Sequence, residues 1–256
     1  MQLSRLKKIF MYGLGLFFCL NSLKVYSYHS IIVTSTIKCG THLLTQAVSL
    51  LTGKKKVVFD TYEYYIQNNK IPAIKSDEYL QNHIAYTQET SELFRKNNFK
   101  VLYIYRDPRD QLVSRAYWIL AKPEAHPEYQ GYTTVSTLIT RLIPEIELVY
   151  KPFMGWMYDN TVCTVRFEDL IGPKGRGDVK VQVGAVKRIA HYLGIPLTQS
   201  LLTYCLTNLF GGKRETFRQG QIGSWRYHFT KEHKQLFKKH GGKLLKELSY
   251  EKNNNW

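Results

Sequence analysis

The stretch His29-Ser-Ile-Ile-Val-Thr-Ser-Thr-Ile-Lys-Cys-Gly-Thr-His-Leu-Leu44 constrains the fold of this chain more than any other. Ile31 to Val33 is a short β-branched run that predicts a buried strand. Leu43, Leu44, Ala47, Val48 and Leu51 recur at helical spacing and predict an amphipathic helix. The turn between them carries Thr36, Lys38, Gly40 and Thr41. A strand that enters a helix through so short a turn aims unpaired amides and the positive end of the helix dipole at one point. Such a point attracts anions, phosphate above all, and Lys38 adds a full charge. Alone, Lys-x-Gly-Thr also fits an ordinary βα connection with a surface lysine, so its meaning depends on the rest of the chain.

The rest alternates in the same way. Val57-Val-Phe59 predicts a short strand, and residues 60–82 read as loops and short helices over the sheet. A helix is expected from Thr87 to Asn97. Lys100-Val-Leu-Tyr-Ile-Tyr105 is the clearest strand, and a helix from about Gln111 to Leu120 follows it. Residues 122–132 read as a loop. A long helical stretch, 133–157, is interrupted near Pro144 or Pro152. Thr161 to Arg166 is a strand, Gly172 to Gly177 a flexible loop, and Val183 to Leu193 a helix ended by Gly194 and Pro196. Helices from Thr198 and from Lys231 to Leu248 complete the chain. Strands alternating with helices imply an α/β fold with a central, mostly parallel sheet flanked by helices. In such sheets ligands sit at the C-terminal strand ends.

A second basic turn occupies such an end. In Arg106-Asp-Pro-Arg-Asp-Gln-Leu-Val-Ser114, Arg106 closes the strand, Pro108 fixes the turn, and Ser114 lies one turn into the helix. Arginine suits bidentate phosphate contact, although an Arg–Asp surface network would also explain the pattern. Two basic strand-to-helix turns in one sheet suit a ligand with two separated phosphates. A third segment, Phe217-Arg-Gln-Gly-Gln-Ile-Gly-Ser-Trp225, combines charge at Arg218 with glycines that permit close backbone approach. A surface loop around a buried Trp225 is its bland alternative.

In this order the three segments resemble the cofactor-binding elements of the sulfotransferase family, which uses 3′-phosphoadenosine 5′-phosphosulfate and has a P-loop-like fold. Thr36 to His42 resembles the family's 5′-phosphosulfate loop, Pro-Lys-Ser-Gly-Thr-Thr. Arg106 with Ser114 resembles its 3′-phosphate motif, and Arg218-Gln219-Gly220 to Trp225 its Arg-Lys-Gly…Gly-Asp-Trp loop. Phe167, in Arg166-Phe-Glu-Asp-Leu170, stands where the family often has Tyr. The resemblance spans about residues 30–250. It implies that Lys38, Cys39, Gly40, Thr41, His42, Arg106, Ser114, Phe167, Arg218, Gln219 and Gly220 bind the donor. It also implies that His83, 23 residues before Arg106, is the general base, with Lys38 stabilising the leaving phosphate and Ser114 restraining Lys38. Departures are Cys39 for Ser, Leu43 for an adenine-stacking Trp, Gln219 for Lys and Ser224 for Asp.

The expected reaction is therefore sulfuryl transfer to a hydroxyl or amine, releasing adenosine 3′,5′-bisphosphate without a metal. Two alternatives stand beside it. A P-loop kinase would need Lys after the second glycine, whereas Lys38 precedes Gly40. A non-catalytic basic module for nucleotides or polyanions is suggested by charge, since 36 basic against 20 acidic residues give +16. No nucleic-acid motif accompanies that charge, so nucleic acid is not an expected partner. The expected acceptor is a small molecule, lipid or glycan. The four cysteines are scattered, without the pairing of a zinc site or disulfide framework.

Arg5, Lys7 and Lys8 precede an uncharged run from Ile9 to Leu20, a pattern of secretory signals. Val25 and Ser27 suit cleavage before Tyr28, and an uncleaved signal anchor is the other form. Residues 1–27 are thus expected to export or tether a single catalytic domain, 28–256, with membrane association only through that segment. An N-terminal amphipathic or buried helix is the alternative.

Overall fold

The computed structural model describes residues 30–60, 62–68, 70–210 and 219–256. The expected signal segment and Arg218 lie outside the described residues. Among the described residues five parallel strands form one sheet: β1 (Ile31–Ser35), β2 (Lys55–Val57), β3 (Glu78–Gln81), β4 (Lys100–Tyr105) and β5 (Cys163–Arg166), in the order β2-β3-β1-β4-β5. The helices are α1 (Thr41–Thr52), α2 (Tyr62–Gln67), α3 (Gln88–Lys96), α4 (Pro108–Ala121), α5 (Val135–Leu142), α6 (Ile146–Tyr158), α7 (Val179–Tyr192), α8 (Gln199–Asn208) and α9 (Lys231–Glu247), with a single helical turn at Phe167–Leu170.

Side-chain alternation along β1 explains the layering. Ile31 and Val33 pack with Leu44 and Val48 of α1 and with Val186 and Ile189 of α7, while Ile32 joins Phe94 of α3 and Trp156 of α6 on the opposite face. All five β1 residues are buried, as a central strand covered on both faces requires. A third apolar cluster joins α4, α5, α6 and α9 through Leu112, Ile139, Ile146 and Phe237.

Several expected boundaries move. The second strand is 55–57 rather than 57–59. It is an edge strand whose lysines face solvent, and Val58 beyond it is 49% exposed. Residues 60–82 hold not only loops and a short helix but β3, an interior strand paired with both β1 and β2. Helix α4 begins three residues early, because Asp107 accepts the amide of Arg109 and Pro108 occupies the first turn. Helix α7 likewise begins at Val179, capped by the Asp178 carboxylate. The break in 133–157 falls at a 3-10 turn, Ile143–Glu145, while Pro152 lies inside α6. Residues 173–175 of the supposed flexible loop form another 3-10 turn.

The chain leaves β1 toward β2 on one side of the sheet and leaves β4 toward β5 on the other. The connections after these adjacent strands therefore diverge, opening a crevice at their C-terminal ends.

Candidate active site

The two basic turns meet in that crevice. Lys38 adopts φ 60° and Gly40 φ 102°, both left-handed. A methyl group at Gly40 would stand 2.5 Å from the Phe167 ring, so glycine is required both by conformation and by close packing. The resulting loop delivers Gly40 and Thr41 to the start of α1, where the first helical amides lack intrahelical acceptors. Gln111 fastens the loop to α4, its side-chain amide donating to the Ile37 carbonyl at 3.0 Å.

The cleft has a volume of about 380 Å³. Lys38, Gly40, Thr41, His42, His83, Arg106, Ser114, Phe167, Gln219 and Gly220 all line it, uniting ten of the twelve residues singled out from sequence. Arg218 is not described, and Cys39 does not line the cleft. The Cys39 amide donates to the Thr36 carbonyl at 3.2 Å, and its side chain is fully buried against Tyr150. Burial pushes the Cys39 thiol up to about 12, leaving it a neutral, inert donor.

His83 reaches the cleft because it follows β3 by two residues and β3 pairs with β1. Its Nδ1 lies 2.8 Å from the Ser35 carbonyl. A carbonyl can only accept, so Nδ1 carries the proton, and Nε2 holds the lone pair in the neutral ring. Burial lowers the imidazole below its ordinary value; the Lys38 charge adds to this, and the Ser35 hydrogen bond partly opposes it. Burial, with repulsion from Arg106 and Lys122, brings the Lys38 ammonium down to about 8. Its Nζ rests 5.0 Å from the centroid of Trp118, another cleft residue.

Arg106 is buried under the Phe167 ring, its guanidinium carbon 4.2 Å from the centroid. It donates to the Gln221 carbonyl at 2.7 Å and approaches the Asp110 carboxylate to 3.7 Å, while its Nε has no partner among the described residues. Asp110 accepts the amides of Gly223 and Trp225 and the Ser224 hydroxyl, binding the third segment to α4. Arg109, by contrast, faces away. It pairs with Asp107 at 2.8 Å and Glu251 at 2.7 Å and lies against Trp225 and Trp256.

Sequence reasoning missed Trp118, Asp110, Ile171, Leu209 and Phe210, all cleft residues. Trp118 was findable, since it follows Ser114 by four residues and so shares its helix face. Leu209 and Phe210 come from the end of α8 without a local signal. With Leu43 and Phe167 they give the cleft an apolar side next to its cations, a surface suited to a flat heterocycle.

A family model described as "Sulfotransferase domain" matches residues 29–249. Sulfotransferase 6B1 from Pan troglodytes is 24% identical, the match covering 77% of this chain and 69% of that protein. In structure the chain is similar to a mouse sulfotransferase complexed with PAP, with TM-score 0.61, 18% identity and coverage of 87% and 88% of the two chains. Retinol dehydratase in complex with retinol and PAP gives TM-score 0.59, 16% identity and coverage of 85% and 81%.

Proposed function

The chain belongs to the sulfotransferase family, and on that premise we propose that it uses 3′-phosphoadenosine 5′-phosphosulfate to sulfate a hydroxyl or amine, with His83 as general base. The observation that carries this reading is the convergence of Lys38, His83, Arg106 and Ser114 on one cleft from three separate sequence segments. The cleft also fits the donor chemically. Gly40 lets the loop backbone pack directly against Phe167 at the cleft, and Arg106 keeps a buried donor atom that no described residue matches.

In this reading Lys38 and the amides of Gly40 and Thr41 hold the 5′ end of the donor. Arg106 and Ser114 hold its 3′-phosphate, with Gln219, Gly220 and, outside the described residues, Arg218. Leu43, Phe167, Leu209 and Phe210 flank the adenine. The donor supplies the sulfuryl group and leaves as adenosine 3′,5′-bisphosphate. His83 Nε2 takes the acceptor proton as the acceptor oxygen or nitrogen bonds to sulfur and the sulfur–phosphate oxygen bond breaks. Lys38 neutralises charge gathering on the departing phosphate. Ser114 restrains Lys38 until acceptor is present, and the contact with Trp118 offers the ammonium a second resting place.

Acceptors to assay include apolar alcohols, such as the retinol and androsterone held by retinol dehydratase, together with lipids and acidic glycans. Transfer of labelled sulfate from the donor to such a panel is the test. Full activity in His83→Ala would remove the base. Undiminished bisphosphate binding after Lys38→Ala and Arg106→Ala would remove the donor site.

Residues 28–256 form, in this proposal, one catalytic domain that residues 1–27 export or tether. No helix among the described residues is long and apolar enough to cross a membrane. Fractionation of expressing cells, with intact-mass measurement of the N-terminus, separates cleavage, anchoring and retention.

A further inference from the structure

A second cavity, of about 490 Å³, is lined by Arg176, Gln219, Gln221, Ser224, Tyr227 and His228. Gln219, Gln221 and Ser224 line the main cleft as well, so the two spaces share a wall. That wall lies on the Arg106 side. Arg106 donates to the Gln221 carbonyl at 2.7 Å, and Ser224 donates to Asp110, whose carboxylate stands 3.7 Å from Arg106. Neither Lys38 nor His83 lines the second cavity.

Arg176 is placed at this wall by backbone packing. The Ile222 amide donates to the Gly175 carbonyl at 3.0 Å, and a methyl group at Gly175 would come within 2.6 Å of the Gly220 carbonyl. The residue following this contact adopts φ 67°, a conformation uncommon outside glycine, which closes the 3-10 turn 173–175. The Arg176 guanidinium is exposed and lies 5.5 Å from the centroid of Tyr227, another residue of the cavity. Among the described residues no carboxylate forms an ion pair with it.

The charges on this side are unbalanced for a phosphate. A phosphate monoester carries nearly two negative charges at neutral pH. Arg106 offers one positive charge, which the adjacent Asp110 carboxylate opposes, and Arg218, outside the described residues, brings one more, so the net charge still falls short of the phosphate's. We propose that Arg176 is a specificity-determining residue, whose guanidinium turns from Tyr227 toward the shared wall and selects nucleotides that carry a phosphate on the ribose. The inference rests on the nucleotide reading of the main cleft, in which the Lys38 loop takes the 5′-phosphate and leaves the Arg106 side for a second one.

Calorimetric titration of the full chain with adenosine 3′,5′-bisphosphate and with adenosine 5′-monophosphate tests it. Wild type should prefer the bisphosphate. Arg176→Ala should weaken the bisphosphate about tenfold, the scale of one charged hydrogen bond, and leave the monophosphate unchanged. Arg176→Lys should recover part of the loss. Equal weakening of both nucleotides, or no weakening of the bisphosphate, would overturn the role of Arg176 while leaving the donor site standing. Failure of wild type to bind either nucleotide would overturn the parent reading and this inference together.

Discussion

Replacing Tyr150 by Phe removes one oxygen from the point where the two basic turns are joined. The Tyr150 hydroxyl donates to the Arg106 carbonyl at 2.9 Å, which uses its only proton. The Cys39 sulfur, 3.3 Å away, must then be the donor to the phenol oxygen. The protonation states agree, since burial raises the phenol far above its ordinary range and the thiol to about 12. The chain thiol, phenol, carbonyl thus runs from the loop after β1 to the end of β4, entirely inside the protein. Phe keeps the ring in place but strands a buried carbonyl, and a stranded buried acceptor costs about 1–3 kcal/mol. The weak thiol donor adds little. For a domain of this size that cost lowers the melting temperature by about 2–4 °C per kcal/mol. Because the same bond fixes the residue bearing the Arg106 guanidinium, Tyr150→Phe should also weaken adenosine 3′,5′-bisphosphate more than adenosine 5′-monophosphate. Thermal unfolding and calorimetry on the same preparation give both quantities. Unchanged stability would refute the hydrogen-bond chain. Lost stability with equal weakening of both nucleotides would refute its role in setting the spacing between the phosphate sites.

The pH dependence of kcat/KM for the donor should be bell-shaped. Its acid limb lies below the ordinary histidine value, because burial and Lys38 hold His83 neutral, and its alkaline limb lies near pH 8 as Lys38 loses its proton. Lys38→Arg, which stays charged, should lose that alkaline limb in whatever activity it retains; persistence of the limb would assign it to another group. Arg109→Ala should destabilise the fold by about 3–5 kcal/mol in denaturant titration, since it leaves Asp107 and Glu251 without their shared cation. Arg106→Ala should instead abolish bisphosphate binding in a protein that still folds, and reversal of these two phenotypes would invert the assignment. Gly40→Ala combines a positive φ of 102° with a 2.5 Å approach to Phe167, and should lower the melting temperature and remove nucleotide affinity together.

How much of this was legible depended on whether the determining interactions were local. Strand β4 could be read to the residue, because its sequence Lys-Val-Leu-Tyr-Ile-Tyr is apolar or aromatic at every interior position. The caps of α4 and α7 were written in Asp107-Pro108 and Asp178, yet both helices were expected to start late because the apolar periodicity begins later than the cap. Strand β3 was not legible. Glu78-Tyr-Leu-Gln81 is only four residues long, with polar ends, and it is a strand because β1 and β2 pair with it on both sides. The misplaced β2 shows the same limit: the more apolar 57–59 drew the reading, while the sheet used the lysine-rich edge at 55–57.

The site follows the same division with a different outcome. The Lys38 and Arg106 turns could be paired from sequence because each announces itself as strand, basic turn and helix. Arg106 and Arg109 stand three residues apart in one motif, and only part of what separates them is local: Asp107 pairs with Arg109. Glu251 and Trp256 at the far end of the chain complete the distinction, capturing Arg109 on the back of α4 and leaving Arg106 to the cleft. Cys39 is a parallel case. It sits inside the binding loop in sequence, but its side chain belongs to the hydrogen bonds beneath that loop, because Tyr150 of α6, more than a hundred residues away, supplies its partner. The groups proposed to face phosphate were therefore visible as motifs, while the groups that hold them at a fixed separation come from α6 and the C-terminal segment. A substitution in those supporting elements should accordingly change the preference between one-phosphate and two-phosphate nucleotides before it abolishes binding of either.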